Sequence, residues 1–338
     1  MITNITLLLG AVLIDLLIGD PRFIPHPVEI IGCLISFLRK KVEFFAGGNT
    51  FYLRVGGALI TFLVTGLSTL CCWFLEQLFF LNSSLMPRQI IFLILILALA
   101  SSLASKSLFI SAFNIINALN ESDSIDHIQR ARKKLTHIVG RDVENLDRQE
   151  ILRATAESIS ENAIDGIFAP LFWMMIGMLL WKLSPVFPGP LSMVWFFKSS
   201  STIDSMIGYK EGNLLWLGQA GARLDDTLTF LPCRLVLITL PFISHSFSKA
   251  QSLIKMAWID GSKDLSPNSG ISEAIFAHCA GIRMGGMNTY KGKNVFKPLL
   301  AKNAPKANIK SIKKVINLSL KLQIVWVSVF STLYLVLA

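Results

Sequence analysis

Charge is scarce in this sequence. Only 16% of its 338 residues are Asp, Glu, Lys or Arg, against about 25% in an ordinary soluble domain. With 52% hydrophobic residues and a mean hydropathy of +0.56, that shortfall excludes a water-soluble protein with a normal core. Lipid must be the solvent for much of the chain. Acidic residues are the scarcer sign, 22 against 32 basic, for a net charge of +10. The basic excess stands beside apolar runs, which is the positive-inside bias of membrane proteins rather than a nucleic-acid footprint. Arg39-Lys40-Lys41 and the lysines from Lys310 to Lys314 suit anionic lipid headgroups. The five cysteines, Cys33, Cys71, Cys72, Cys233 and Cys279, show no CxxC spacing. Neither a disulfide framework nor a zinc site is expected of them. The histidines lack metal-ligand spacing. No P-loop, dinucleotide fingerprint or nucleophile elbow is present, and no internal repeat.

Apolar runs fill the chain from end to end. They predict an all-α fold: one polytopic transmembrane domain over residues 1–338. A span needs about 20 mostly apolar residues. Val55 to Leu75, Gln89 to Ser105 (running on to Phe113) and Asn317 to Ala338 meet that length. Ile5 to Ile18 is read as a retained helix, because it has no basic start and Asp15 interrupts it. Ala163 to Trp181 and Leu191 to Phe197 flank Ser184-Pro185 and Pro188-Gly189-Pro190, the pattern of a re-entrant helical hairpin broken by proline. Leu228 to Phe247, with Pro232 and Pro241, precedes amphipathic Ser248 to Ile259. That pair crosses once or turns back as a second hairpin. Loop charges (Arg22 and Arg39 to Lys41 after the first helix, seven basic residues from Arg130 to Arg153 after the third) place the N-terminus outside. Two segments then face the cytoplasm: 114–165, a loop and helix, and 249–314, a basic stretch.

The chemistry concentrates in five clusters. A helix is expected from about Arg148, and on it Arg153, Glu157, Glu161 and Asp165 recur every four residues. That spacing sets them on one slowly drifting face. The plain account is a solvated face with an Arg153–Glu157 pair. Asp165, almost inside the apolar run, argues instead for a cavity, because ionisable groups at membrane depth are costly. The second and third clusters are Thr202 to Lys210 and Ala222-Arg223-Leu224-Asp225-Asp226. Asp204, Asp225 and Asp226 suit Mg²⁺, which takes oxygen ligands and bridges phosphates. Capping of a following helix is the alternative for Asp225-Asp226. The fourth cluster, Ser266 to Gly270, reads as a tight turn. The fifth, Gly281 to Gly286, contains Arg283 among glycines that let backbone amides approach an anion.

Taken in order, these motifs resemble one family, the adenosylcobinamide-phosphate synthases of cobalamin biosynthesis. The resemblance rests on Leu16-Leu17-Ile18-Gly19-Asp20-Pro21 with His26-Pro27, Gly140-Arg141-Asp142 and Asn145-Leu146-Asp147. It continues through Arg153-Ala154-Thr155, Glu157, Glu161-Asn162, Asp165-Gly166 and Ala169 to Phe172. Asp204 to Lys210, Ala222 to Asp226, Ser266 to Gly270 and Gly285-Gly286 complete it. One departure is Ser201-Thr202, where the family commonly has Asn-Thr. The resemblance implies a ligase of the inner membrane with cytoplasmic motif loops. It would join aminopropanol, or its phosphate, to adenosylcobyric acid through an amide bond, consuming ATP with Mg²⁺. It implies membrane lipid and other membrane enzymes of the corrinoid pathway as partners. Among the site residues it points to Glu157, Glu161 and Asp165 for catalysis, to Asp204, Asp225 and Asp226 for metal, and to Arg141, Arg153, Lys210, Arg223, Asn268 and Arg283 for substrate. A Mg²⁺-dependent prenyltransferase and a corrinoid transporter are the rival readings. The unlike aspartate motifs weigh against the first and the missing repeat against the second.

Overall fold

The computed structural model describes residues 2–19, 26–80, 87–120 and 125–336. Asp20 and Pro21 of the first motif and Arg22 of the loop that follows lie outside them, as do the last two residues of the C-terminal span. The elements in chain order are α1 (Ile2–Leu17), α2 (Pro27–Ala46), α3 (Thr50–Phe80), α4 (Arg88–Ala100), α5 (Ser105–Asn120), α6 (Ile125–Leu135) and α7 (Arg148–Ala163). A π-helical turn (Ile164–Phe168) leads into α8 (Ala169–Leu183), α9 (Pro190–Ile207), α10 (Leu214–Leu217), α11 (Gln219–Ser244), α12 (Phe247–Gly261) and α13 (Ser269–Ala280). Strands β1 (Met284–Tyr290) and β2 (Lys293–Leu300) precede α14 (Ile309–Val336). Five stretches among the described residues are long and apolar enough to cross a membrane: Thr50–Phe80, Arg88–Leu119, Arg148–Leu183, Gln219–Ser244 and Ile309–Val336. The all-helical class therefore holds, with one hairpin added. The segment carrying Arg39 to Lys41 is the helix α2 rather than a loop. His26-Pro27 starts it: Pro27 takes the first helical position and His26 Nδ1 accepts from the Val28 amide at 3.2 Å.

The chain divides into two compact units. The first comprises residues 1–104, 169–229 and 327–338, the second 105–168 and 230–326. In the first unit α3 packs on α9, α2 and α10, and α8 packs on α9. Ile35, Leu53, Ile60, Val64, Ile203 and Leu217 form the core between them. The other side of α3 leaves Leu59, Phe62, Leu63, Leu67, Leu70 and Phe74 exposed, as lipid contact requires. The proline-rich turn of the α8–α9 hairpin is held by the end of α3. Trp73 donates to the Val186 carbonyl at 2.8 Å and Gln77 to that of Pro185 at 2.9 Å. Glu76, fully buried, accepts from the amides of Gly189, Leu191 and Ser192 and from the Ser192 hydroxyl. A carboxylate thus satisfies the open amides at the start of α9, where the helix dipole favours negative charge.

Helix α11 runs through both of its prolines instead of breaking. Pro232 cannot donate to the Leu228 carbonyl one turn back, and the Trp173 indole takes that acceptor at 3.2 Å. Asp225 and Asp226 stand inside α11, more than a turn past its start, so N-terminal capping does not explain them.

In the second unit α13 lies buried against α12, α7 and the hairpin, and α5 packs on α6 and α7. Helix α7 begins where expected, with a capping box: Asp147 accepts from the Glu150 amide at 2.7 Å and Glu150 accepts from the Asp147 amide at 3.2 Å. The hairpin pairs Tyr290 with Lys293 across Lys291-Gly292. Both turn residues have positive φ, 50° and 76°, the two-residue turn whose twist suits antiparallel strands.

Candidate functional site

The loop from Gly140 to Asp147 docks the hairpin onto α7. Asp142 accepts from the amides of Lys291 at 3.0 Å and Gly292 at 2.7 Å, and its own amide donates to the Thr289 carbonyl at 2.8 Å. Its neighbour Arg141 turns inward. One guanidinium nitrogen donates to Asn288 at 2.6 Å and another to Glu157 at 2.6 Å. Arg153, one turn before Glu157, donates to it at 3.2 Å, to the carbonyls of Gly285 and Met287 at 2.8 Å each, and to Asn288 at 3.0 Å. The Gly285 amide completes the knot by donating to Glu157 at 2.8 Å.

Glu157 is 1% exposed, and both its oxygens are occupied by guanidinium or amide donors. The expected Arg153–Glu157 pair is present, and the geometry makes Glu157, Arg141 and Arg153 a frame that fixes the hairpin to α7. The Arg141 guanidinium is held above its usual range: burial works against its charge, and Glu157 beside it outweighs burial. Gly285 sits at φ +81°, and a Cβ there would stand 2.0 Å from the Pro298 carbonyl oxygen on β2. Gly285→Ala is expected to destabilise the protein by more than about 1 kcal/mol, read as a lower midpoint of thermal unfolding in detergent.

Above this frame opens a cavity of about 220 Å³ lined by Gly140, Arg141, Ser158, Glu161, Asn162, Asp165, Tyr290 and Lys297, with Ile138 and Val139. It brings together three of the residues singled out in the sequence: Arg141, Glu161 and Asp165. Asp165 lies in the π-helical turn, a widened turn common at functional sites. The cavity's two cations are each matched by a carboxylate outside its lining. Arg141 is paired with Glu157, and Lys297 with Glu273 at 2.7 Å. Glu273 is 1% exposed on α13. Burial pushes its carboxyl above the usual range, and Lys297 beside it opposes the rise. Glu161 and Asp165 thus bring two carboxylates to the same cavity lining as Arg141 and Lys297.

Asp204 and Asp226 belong to the first unit. Burial raises the Asp204 carboxyl, and the charge of Asp226 raises it further. A Cβ at Gly208 would meet Asp204 Oδ1 at 2.0 Å, which explains the glycine four residues on. Among the described residues no three His, Cys, Asp or Glu side chains group as a ready metal site. Lys210 and Arg223 are exposed on the same unit. In the second unit Asn268, buried at the start of α13, accepts from Arg234, which also donates to the Pro267 carbonyl at 2.7 Å. The Ser266–Gly270 turn is thus tied to α11. Arg283 lies apart from the acidic cavity, in a second one on the other side of Arg153.

These motifs have relatives. A family model described as CobD/Cbib protein matches residues 8–319. The chain belongs to that family. It is 38% identical over 291 residues to a protein named cobalamin biosynthesis protein CobD from Synechocystis, covering 86% of this chain and 80% of that one. To a CobD from Pelobacter propionicus it is 37% identical, with 85% and 82% covered. To cobalamin biosynthesis protein CbiB from Salmonella typhi it is 33% identical over 307 residues, with 90% and 89% covered. No solved structure matches the chain.

Within this CobD/CbiB chain, reasoning from sequence missed Lys297, Glu273, Asn288 and Arg234. Lys297 was one lysine of a basic stretch, and Glu273 a lone carboxylate in an apolar helix. A buried acid in such a helix was itself a signal, because it demands a partner. No local pattern named which lysine.

Proposed function

We propose that this protein is a ligase of cobalamin biosynthesis, joining the amine of aminopropanol, free or phosphorylated, to a propionate carboxyl of adenosylcobyric acid at the expense of ATP. Its family membership supports the pathway. The observation that carries the reaction is the acidic cavity of Glu161 and Asp165. The carboxyl must first be made a good acyl donor, and transfer of a phosphoryl group from ATP to one of its oxygens does this, releasing ADP. The amine nitrogen then bonds to the acyl carbon as phosphate leaves. For that the ammonium must lose a proton, and Glu161 and Asp165 are the groups placed to attract the ammonium and accept it. Arg141 and Lys297, each anchored by a buried carboxylate, hold the cavity walls and orient the substrate's polar groups. Lys210 and Arg223 are the further phosphate-binding candidates, on the first unit. The motif loops face the cytoplasm of the inner membrane in this reading, where ATP is supplied.

Mg²⁺ commonly keeps several waters and takes one or two carboxylates together with substrate phosphates. Asp204 and Asp226, whose charges influence one another, are the candidates for that role. Bound there, the ion would offset charge on the phosphoryl group being transferred. Asp204→Asn and Asp226→Asn are expected to raise the Mg²⁺ concentration for half-maximal rate by at least about tenfold, measured by Mg²⁺ titration at fixed ATP.

The direct test incubates membranes containing the protein with adenosylcobyric acid, ATP and Mg²⁺, and with aminopropanol or its phosphate. Mass spectrometry should find a corrinoid heavier by the amide-linked unit, and none without ATP. A well-folded preparation yielding no such product with either amine would overturn the reading.

A further inference from the structure

The second cavity, about 290 Å³, is lined by Arg153, Arg283 and Lys306 together with Asp147, Gln149 and Glu150. Arg283 and Lys306 are neighbours by construction. Their backbones form a parallel β-bridge, and the Arg283 amide donates to the Pro305 carbonyl at 2.8 Å. Like charges at facing positions repel, and neither side chain forms an ion pair or hydrogen bond among the described residues. Arg153 and the carboxylates of this wall are already engaged. Arg153 is committed to Glu157 and to backbone carbonyls. Asp147 and Glu150 exchange hydrogen bonds with each other's backbone amides at the start of α7. Arg283 and Lys306 are thus held side by side on the cavity lining, which also carries Asp147 and Glu150, and neither cation is in an ion pair among the described residues.

We infer that Arg283 and Lys306 form a binding site for a phosphoryl group, separated from the acidic cavity by the Glu157–Arg153–Gly285 wall. A guanidinium fork and an ammonium together match the several oxygens of a phosphate. The phosphoryl group belongs either to ATP or to the phosphorylated amine. That choice of ligands rests on the function proposed above; the site itself does not.

The test is equilibrium dialysis of the detergent-purified protein with a labelled non-hydrolysable ATP analogue and, separately, with labelled aminopropanol phosphate. Arg283→Gln and Lys306→Gln are each expected to weaken one of the two ligands by roughly ten- to hundredfold. Lys306→Arg should keep most of the affinity. Weakening of the analogue names the nucleotide as the occupant; weakening of the amine phosphate names the amine. Lys306 is exposed, so its variant carries the test even where the Arg283 variant folds poorly. Wild-type affinity for both ligands in the Lys306→Gln and double variants overturns the inference, as does failure of the wild type to bind either. Binding that depends on both residues, in a protein that makes no amide, would uphold the site and sink the proposed reaction instead.

Discussion

Changing Glu161 to Gln, or Asp165 to Asn, is expected to slow amide formation by about 10²- to 10⁴-fold. Each replacement keeps the shape of the side chain and removes its capacity to take a proton. The two carboxylates face one cavity with Arg141 and Lys297, whose charges are matched by Glu157 and Glu273. Neither Glu161 nor Asp165 is part of the Glu157 frame, so folding should survive both changes. The check is single-turnover formation of the amide product, followed alongside the unfolding transition of the same preparations. The slower of the two variants marks the proton acceptor. Rates within a few-fold of wild type for both would leave the cavity without a part in the chemistry.

Glu157→Ala is expected to destabilise the protein by about 3–5 kcal/mol, because it strands two buried guanidinium groups. Arg141 is 6% and Arg153 15% exposed in their side chains, and each would lose its carboxylate partner while staying in place. The Gly285 amide loses its acceptor as well, freeing the β1 end of the hairpin. The consequence should be a large drop in unfolding midpoint and protease cleavage near the hairpin. Glu157→Gln keeps one acceptor oxygen and should lie between alanine and wild type. A Glu157→Ala protein with a wild-type midpoint and no product would instead place Glu157 in the chemistry directly.

Much of this architecture was written locally. Spans show themselves by length and apolar content, since a helix in lipid must satisfy its own backbone. The Thr50–Phe80 helix therefore needed no partner to be recognised. The start of α7 was legible because Asp147 and Glu150 make a capping box within four residues. The α8–α9 hairpin was legible because Pro185, Pro188 and Pro190 interrupt an apolar run. The hairpin β1–β2 was not. Met284 to Tyr290 carries two glycines and little alternation, and its strand character comes from pairing with β2 and docking by Asp142 and Arg141. Continuity of α11 through Pro232 was hidden for a similar reason: the Trp173 indole that occupies the freed carbonyl is remote in sequence.

The acidic stripe shows where each kind of information ends. Four-residue spacing placed Arg153, Glu157, Glu161 and Asp165 on one face, as helical periodicity alone dictates. Apolar run length carried the membrane character, and the motifs taken in order carried the resemblance to the family. Only the tertiary structure divided that face by task. Glu157 became the buried centre of a frame, because Arg141 and Gly285 reach it from 16 and 128 residues away in the chain. Glu161 and Asp165 were left to line a cavity. Periodicity says which side chains share a face. What each one does depends on the partners that long-range packing brings to it, since a carboxylate at the centre of a frame and one in a cavity lining are identical in sequence.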